Sequence, residues 1–217
     1  MKGTIDLVIR DGQVVDGNGG EPVCADVAID GGRIVEIGEV REAGREEIEA
    51  RGKVVTPGFV DIHTHYEGNC GVGFAPCRAD QHELLIQLME GVEDIPHPVL
   101  VDGLPWTWES YPEYLDYLAG RSFDMDVCSQ LPHAALRVYV MGQRGADRES
   151  ATPDDLKAMS ELARDAMQAG ALGITTSRTF FHRSSDGKST PSFEAAENEL
   201  LALAGVLNDL NRGVMQL

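Results

Sequence analysis

Near residue 57 the rhythm of the sequence changes, and this change constrains the fold more than any other feature. Before it, short segments alternate apolar and polar residues: 5–10 (IDLVIR), 25–30 (ADVAID) and 33–38 (RIVEIG), with Asp30, Gly31 and Gly32 between the last two. Alternation puts every second side chain on one face, the pattern of half-buried strands, and a glycine-rich turn joins two of them into a hairpin. After residue 57, strand-like runs alternate with helical ones. Segments 58–63, 127–132, 136–141 and 172–177 read as strands, and 214–217 begins another. Segments 80–90, 111–119, 152–170 and 192–213 read as helices. The third of these has Thr152 as N-cap, Pro153 at the first helical position, Asp155 at the third and Gly170 as the stop. Such alternation predicts an α/β chain: residues 1–56 form a small β-unit and residues 57–217 belong to a parallel (β/α) barrel. No internal repeat is present, and 182–192 is the most linker-like stretch.

A chain of 217 residues can bury one real core, or a small domain plus part of a larger one. With 18 basic against 36 acidic residues, its net charge of −18 repels nucleic-acid phosphates and anionic lipid, so the partner expected is a small molecule, with no nucleic acid and no membrane. No apolar run approaches the roughly 20 residues of a membrane span, and the first residues enter a strand pattern without a signal-peptide core. Cys24, Cys70, Cys77 and Cys128 form no CxxC pair, which fits reduced thiols and a cytoplasmic location.

The chemistry concentrates in 56–76, TPGFVDIHTHYEGNCGVGFAP. On a strand Asp61, His63 and His65 share one face, so both imidazoles converge, and neutral imidazole is a good zinc ligand. Asp61, one pleat deeper, either accepts a ring N–H or is a buried polar residue of the barrel floor. A bare HxH is a weak signal on its own. Cys70 alone reads most simply as a small buried hydrophobe.

A β-hairpin unit followed by VVTPGFVDIHTH resembles the amidohydrolase superfamily, in which an N-terminal β-sandwich leads into a metal-dependent (β/α)8 barrel. The stretches NCGVGFAP, LMEGVEDIP, LPWTWESYPEYLDYL, PHAALRVYVMGQRGAD and AGALGITTSRTFFHR are similar to the N-acyl-D-amino-acid deacylase branch and together cover nearly the whole chain. The resemblance implies a partial TIM-like barrel behind part of a sandwich, a bound zinc ion, and metal roles for His63, His65 and Cys70. It places the remaining ligand histidines and a catalytic aspartate beyond Leu217. It also implies a β-α step of roughly 30 residues between Gly68 and Asn69. These residues are absent, and the chain ends short of the roughly 250 residues of a barrel. The expectation is therefore an N-terminal fragment that is inactive by itself.

Two-metal relatives of the hydantoinase and dihydroorotase type are similar to each other in placing a carbamylated lysine at the end of the fourth strand. The corresponding LGITTSRTFF has none, and Lys188 lies eleven residues further on in a polar loop. This favours deacylation of N-acyl-D-amino acids over hydrolysis of cyclic amides; a third reading, a non-catalytic binding or scaffold protein, turns on whether residues beyond Leu217 supply the histidines and the aspartate. Two further residues are candidates for substrate binding. His133 either faces the barrel mouth or is a satisfied hydrogen-bonding histidine. Arg178 either holds a substrate carboxylate by a bidentate pair or makes an ordinary salt bridge. Cys24, Cys77 and Cys128 read as structural, His82 and His97 as surface residues, and Trp106 and Trp108 as loop packing.

Overall fold

The computed structural model describes residues 5–61 and 73–217. Two compact units divide the chain, Met1–His63 and Thr64–Leu217.

The first unit is a sheet of five strands: β1 (Ile5–Val14), β2 (Val23–Asp30), β3 (Arg33–Gly38), β4 (Gly44–Glu49) and β5 (Val54–Val55), in the order β3-β2-β1-β4 with β5 also beside β1. β1, β2 and β3 pair antiparallel, whereas β4 and β5 run parallel to β1. The β2–β3 hairpin turns on Gly31 and Gly32, whose φ angles of 55° and 74° suit a two-residue hairpin and strain any side chain. Asp11, at φ 52°, sits in a bulge of β1, and its N–H donates to Asp26 Oδ1 at 2.9 Å. Next to it, the Arg10 guanidinium donates to Asp26 Oδ2 at 3.0 Å and Glu47 Oε1 at 2.7 Å, which ties β1 to β2 and β4. The core beneath is small: Ile5, Val8, Ala28 and Val40. β4 and β5 were not expected from the sequence. In β4 the run GREEIE carries no buried residue, so backbone pairing rather than an apolar face defines it.

The second unit carries a 3-10 turn at Ala79–Gln81, then α1 (His82–Glu93), α2 (His97–Gly103), α3 (Tyr111–Ala119), β6 (Leu131–Pro132), α4 (His133–Met141), α5 (Gln143–Ala146), α6 (Pro153–Ala169), β7 (Gly173–Thr175), α7 (Glu197–Leu210) and β8 (Val214–Gln216). The three strands form a parallel sheet in the order β6-β7-β8, with α4 to α6 crossing from β6 to β7 and α7 from β7 to β8. This is an α/β arrangement. α6 starts as its sequence dictates: Thr152 and Asp155 cap each other and Pro153 follows, while Gly170 closes the helix. α3 starts likewise on Ser110 and Glu113. The core joins Leu85, Leu136, Met159, Met167, Leu131, Ile174 and Leu203, all fully buried. Trp108 packs among them and donates its indole N–H to the Phe74 carbonyl at 2.9 Å.

Several expectations for this unit are corrected. Residues 136–141 lie in α4, not in a strand. Short apolar runs rich in valine and tyrosine fit either element, and here Ala135, Leu136, Val138 and Met141 bury one helical face. Of 127–132 only Leu131–Pro132 is extended into the sheet. Residues 58–61 form no strand, and the rest of that expected strand lies outside the described residues. The expected helix 192–213 contracts to α7, with Asn211 in the left-handed conformation at its end.

The polar stretch 182–192 is pinned rather than free. Ser185 N–H donates to the Gln87 carbonyl of α1 at 2.8 Å, and Arg148 reaches the Ser189 carbonyl at 3.1 Å. At Gly91 of α1 an added Cβ would lie 2.2 Å from the Arg183 carbonyl oxygen, so glycine is what lets this loop lie against the helix.

Candidate functional site

In the parallel sheet, side chains alternate between the two faces, and the register aligns Leu131, Ile174 and Met215 in one row and Pro132, Thr175 and Gln216 in the next. The first row is buried among the helices, with Leu131 and Ile174 fully buried. The opposite face is more polar. There Gln130 donates its amide to Gln216 Oε1 at 2.9 Å, with both residues only partly buried.

At the C-terminal ends of β6 and β7 the buried row continues as His133 and Thr176. His133 is wholly buried; its Nδ1 lies 2.9 Å from Thr176 Oγ1 and its Nε2 2.7 Å from Glu199 Oε1, in the first turn of α7. Glu199 also accepts two hydrogen bonds from Arg137 Nη1, and Arg137 Nη2 donates to the Glu149 carbonyl at 2.6 Å. Burial pushes the Glu199 carboxyl up, but hydrogen bonds and charge from His133 and Arg137 outweigh it, so its pKa lies below the ordinary value of 4.5. An ionised Glu199 accepts from Nε2–H, which fixes the imidazole's orientation. The arrangement can hold the ends of β6 and β7 and the start of α7 in one geometry.

Beyond Thr176 the chain emerges. Ser177 Oγ lies 2.7 Å from His182 Nδ1, and the Ser177 carbonyl accepts from the buried Ser192 hydroxyl at 2.8 Å. Between these ties Arg178, Phe180 and Phe181 face solvent. The two rings are 59% and 77% exposed, with centroids 4.1 Å apart. Full burial of such a side chain is worth about 1.5–3 kcal/mol, and each of these two forgoes part of it. Strand C-terminal ends are where parallel α/β folds assemble ligand sites, and here that end combines a cation with exposed aromatic surface.

His63, His65 and Cys70, expected as metal ligands, lie outside the described residues. Among the described residues no group of three His, Cys, Asp or Glu side chains is placed to hold a metal ion. Asp61 is exposed, His133 has both ring nitrogens engaged, and Arg178 is exposed at the strand end. The structure does not bring His133 and Arg178 to one surface. Of the other cysteines, Cys24 and Cys128 are exposed, and Cys77 is buried with its thiol pushed up to about 12, mainly by burial. His82 stacks on Trp106 with centroids 4.0 Å apart, and burial lowers its pKa; His97 pairs with Glu83 at 3.1 Å.

Glu199 and Arg137 escaped the sequence reading. A signal for each was available: Glu199 stands four and seven positions before Leu203 and Val206 on the buried face of α7, and Arg137 stands four after His133. A charge on an apolar stripe needs a partner.

Comparison with known proteins adds to this geometry. A family model described as an amidohydrolase family matches residues 46–216. An N-acyl-D-aspartate deacylase of Alcaligenes xylosoxydans xylosoxydans is 32% identical over 201 residues, and a D-aminoacylase of the same organism is 29% identical over 194. The matches cover 81% and 79% of this chain but 37% of each relative. A solved structure of N-acyl-D-glutamate deacylase from Bordetella bronchiseptica, complexed with zinc and a phosphonate mimic of the tetrahedral intermediate, is similar with a TM-score of 0.69 and 26% identity. The match takes in 97% of this chain and 44% of that one. The chain thus spans well under half the length of the proteins it matches.

Proposed function

Because the chain belongs to the amidohydrolase family, we propose that the protein is part of a zinc-dependent hydrolase of non-peptide amide bonds that releases the amine from N-acyl-D-amino acids. The observation that carries this reading is the run of similarity to deacylases along most of the chain. In the same reading, residues 57–217 are the first part of a (β/α)8 barrel and residues 1–56 contribute to a β-sandwich. The β-α alternation from β6 to β8 supports the first assignment. Among the described residues no helix is long and apolar enough to cross a membrane, which accords with action on a small dissolved substrate in the cytoplasm.

His63, His65 and Cys70 are the residues we assign to the metal, and two imidazoles with a thiolate suit zinc as a donor set. When bound, zinc supplies Lewis-acid polarisation of an amide carbonyl and makes water a stronger acid. Arg178, exposed at the strand end, is assigned to the substrate carboxylate, where its planar fork can donate two parallel hydrogen bonds. His133 is assigned a supporting role, because Thr176 and Glu199 occupy both its ring nitrogens. It orients the strand ends from the helix side. The test is amine release from N-acetyl-D-amino acids against ring opening of hydantoin and dihydroorotate, at equal substrate concentration and with zinc present. Faster amine release is expected, and faster ring opening would overturn the reading.

A further inference from the structure

We propose that the buried pair His133 and Thr176 positions Arg178 for substrate: the imidazole holds the Thr176 hydroxyl, and with it the backbone from which the guanidinium leaves β7 toward the substrate carboxylate. The inference rests on the deacylase reading and on Arg178 as the partner of that carboxylate, and it names the side chains through which that partner is held in place.

Arg178 stands two residues past Thr176 and is exposed, with no ion pair or hydrogen bond to another described residue. A guanidinium without braces of its own meets a carboxylate in register only as well as its backbone is held, because a small displacement spoils two parallel hydrogen bonds. That backbone is tied on several sides. Thr176 N–H donates to the Gln216 carbonyl of β8 at 2.9 Å, and the Thr176 hydroxyl lies 2.9 Å from His133 Nδ1. One residue on, the Ser177 carbonyl accepts from the Ser192 hydroxyl at 2.8 Å, and Ser177 Oγ lies 2.7 Å from His182 Nδ1. The tie to His133 differs from the others in being backed by charge. His133 Nε2 meets Glu199 at 2.7 Å, Arg137 pairs with the same carboxylate, and Arg137 Nη2 is anchored on the Glu149 carbonyl at 2.6 Å. His133, Glu199 and Arg137 are at most 1% exposed and Thr176 is 4% exposed. Side chains that are buried and bonded to one another keep a single rotamer, so the hydroxyl at the end of the series keeps a single position. Each bond in the series is buried, and none of it depends on open surface.

The experiment compares Thr176→Val, which keeps the shape and removes the hydroxyl, with Thr176→Ser, which retains it, alongside Arg178→Ala and the Thr176→Val/Arg178→Ala double variant. The protein is used at its natural length. Equilibrium binding of N-acetyl-D-alanine and of its carboxamide is measured by calorimetry with zinc removed, and amine release is followed in parallel with zinc present. Thr176→Val should weaken the carboxylate ligand about tenfold and the carboxamide by no more than about twofold, and Thr176→Ser should restore both. Arg178→Ala should remove the preference for the carboxylate, and adding Thr176→Val to it should weaken binding no further. With zinc, the same loss should fall on KM and spare kcat. Equal weakening of both ligands, or a Thr176→Val effect that persists in full beside Arg178→Ala, would show a role confined to folding and overturn the proposal. An Arg178→Ala variant that binds the carboxylate as well as the unaltered protein would overturn it together with the carboxylate assignment. If the binding pattern holds but no substrate releases amine, the deacylase reading falls while the positioning stands.

Discussion

Two polar groupings lie within a few residues of the same strand end and are treated in opposite ways. Between α4 and α7, His133 and Arg137 are buried and both bond to the buried Glu199. Past Thr176, Arg178 is exposed, and so are Phe180 and Phe181, whose rings lie together. Burying charge is costly unless each charge finds its partner, and here Glu199 answers both His133 and Arg137, leaving only Arg137 Nε without a hydrogen bond among the described residues. Arg178, by contrast, makes no ion pair or hydrogen bond with another described residue. Polar residues near a strand end therefore divide into those that set its position and those that are free to bind, and burial of the partner, not residue type, separates them.

The comparison breaks most visibly at Glu199. Glu199→Ala leaves Arg137 buried without its counter-ion, and a loss of about 3–5 kcal/mol is expected, read as a lower urea midpoint. An unchanged midpoint would mean that the inner grouping does not hold the strand ends.

Acid should act in the same direction and less severely. The folded-state pKa of Glu199 lies below its ordinary value of 4.5, so its contribution is fully present above that value and is lost as pH falls through the lower folded-state value. The acid limb of the stability profile should consequently flatten in Glu199→Gln. A limb that keeps its slope assigns acid sensitivity to other carboxylates.

Thr152→Ala removes the cap of α6 without touching either grouping, and about 1 kcal/mol should be lost in thermal or urea unfolding. It calibrates the scale between the two. Arg178→Ala should change stability by no more than about 0.5 kcal/mol, since an exposed side chain away from caps and cores contributes little. A larger loss would show that Arg178 belongs with the structural grouping after all.

The same division explains what could be read in advance. α6 was legible because its start and stop are local: Thr152, Pro153, Asp155 and Gly170 act within one turn of their positions. Arg178 was legible as a candidate because it follows an apolar strand pattern directly. The partners of His133 were not, because Glu199 lies 66 residues away and only the fold brings it to the imidazole. Residues 136–141 misled for a related reason. Their valines and tyrosine suit a pleated surface, and only the packing of Leu136 and Val138 against the helical core selects the helix. The HxH and Cys70 signals rest on sequence alone, as they lie outside the described residues.

The mixed sheet of the first unit also has a consequence in time. β2 and β3 meet across two glycines, and such hairpins close in about 1–10 μs. The parallel pairing of β1 with β4 joins Ile5 to Gly44 and Ile9 to Ile48, so its ends must find each other across the whole intervening chain. Non-local pairing of this kind is slow, because the entropy of closing the loop is lost before any contact compensates. β4 adds almost no apolar surface to speed it. The N-terminal strand should therefore complete its sheet last, leaving its edge open longest during synthesis, and the Arg10 bond to Glu47 of β4 should form only with that final step.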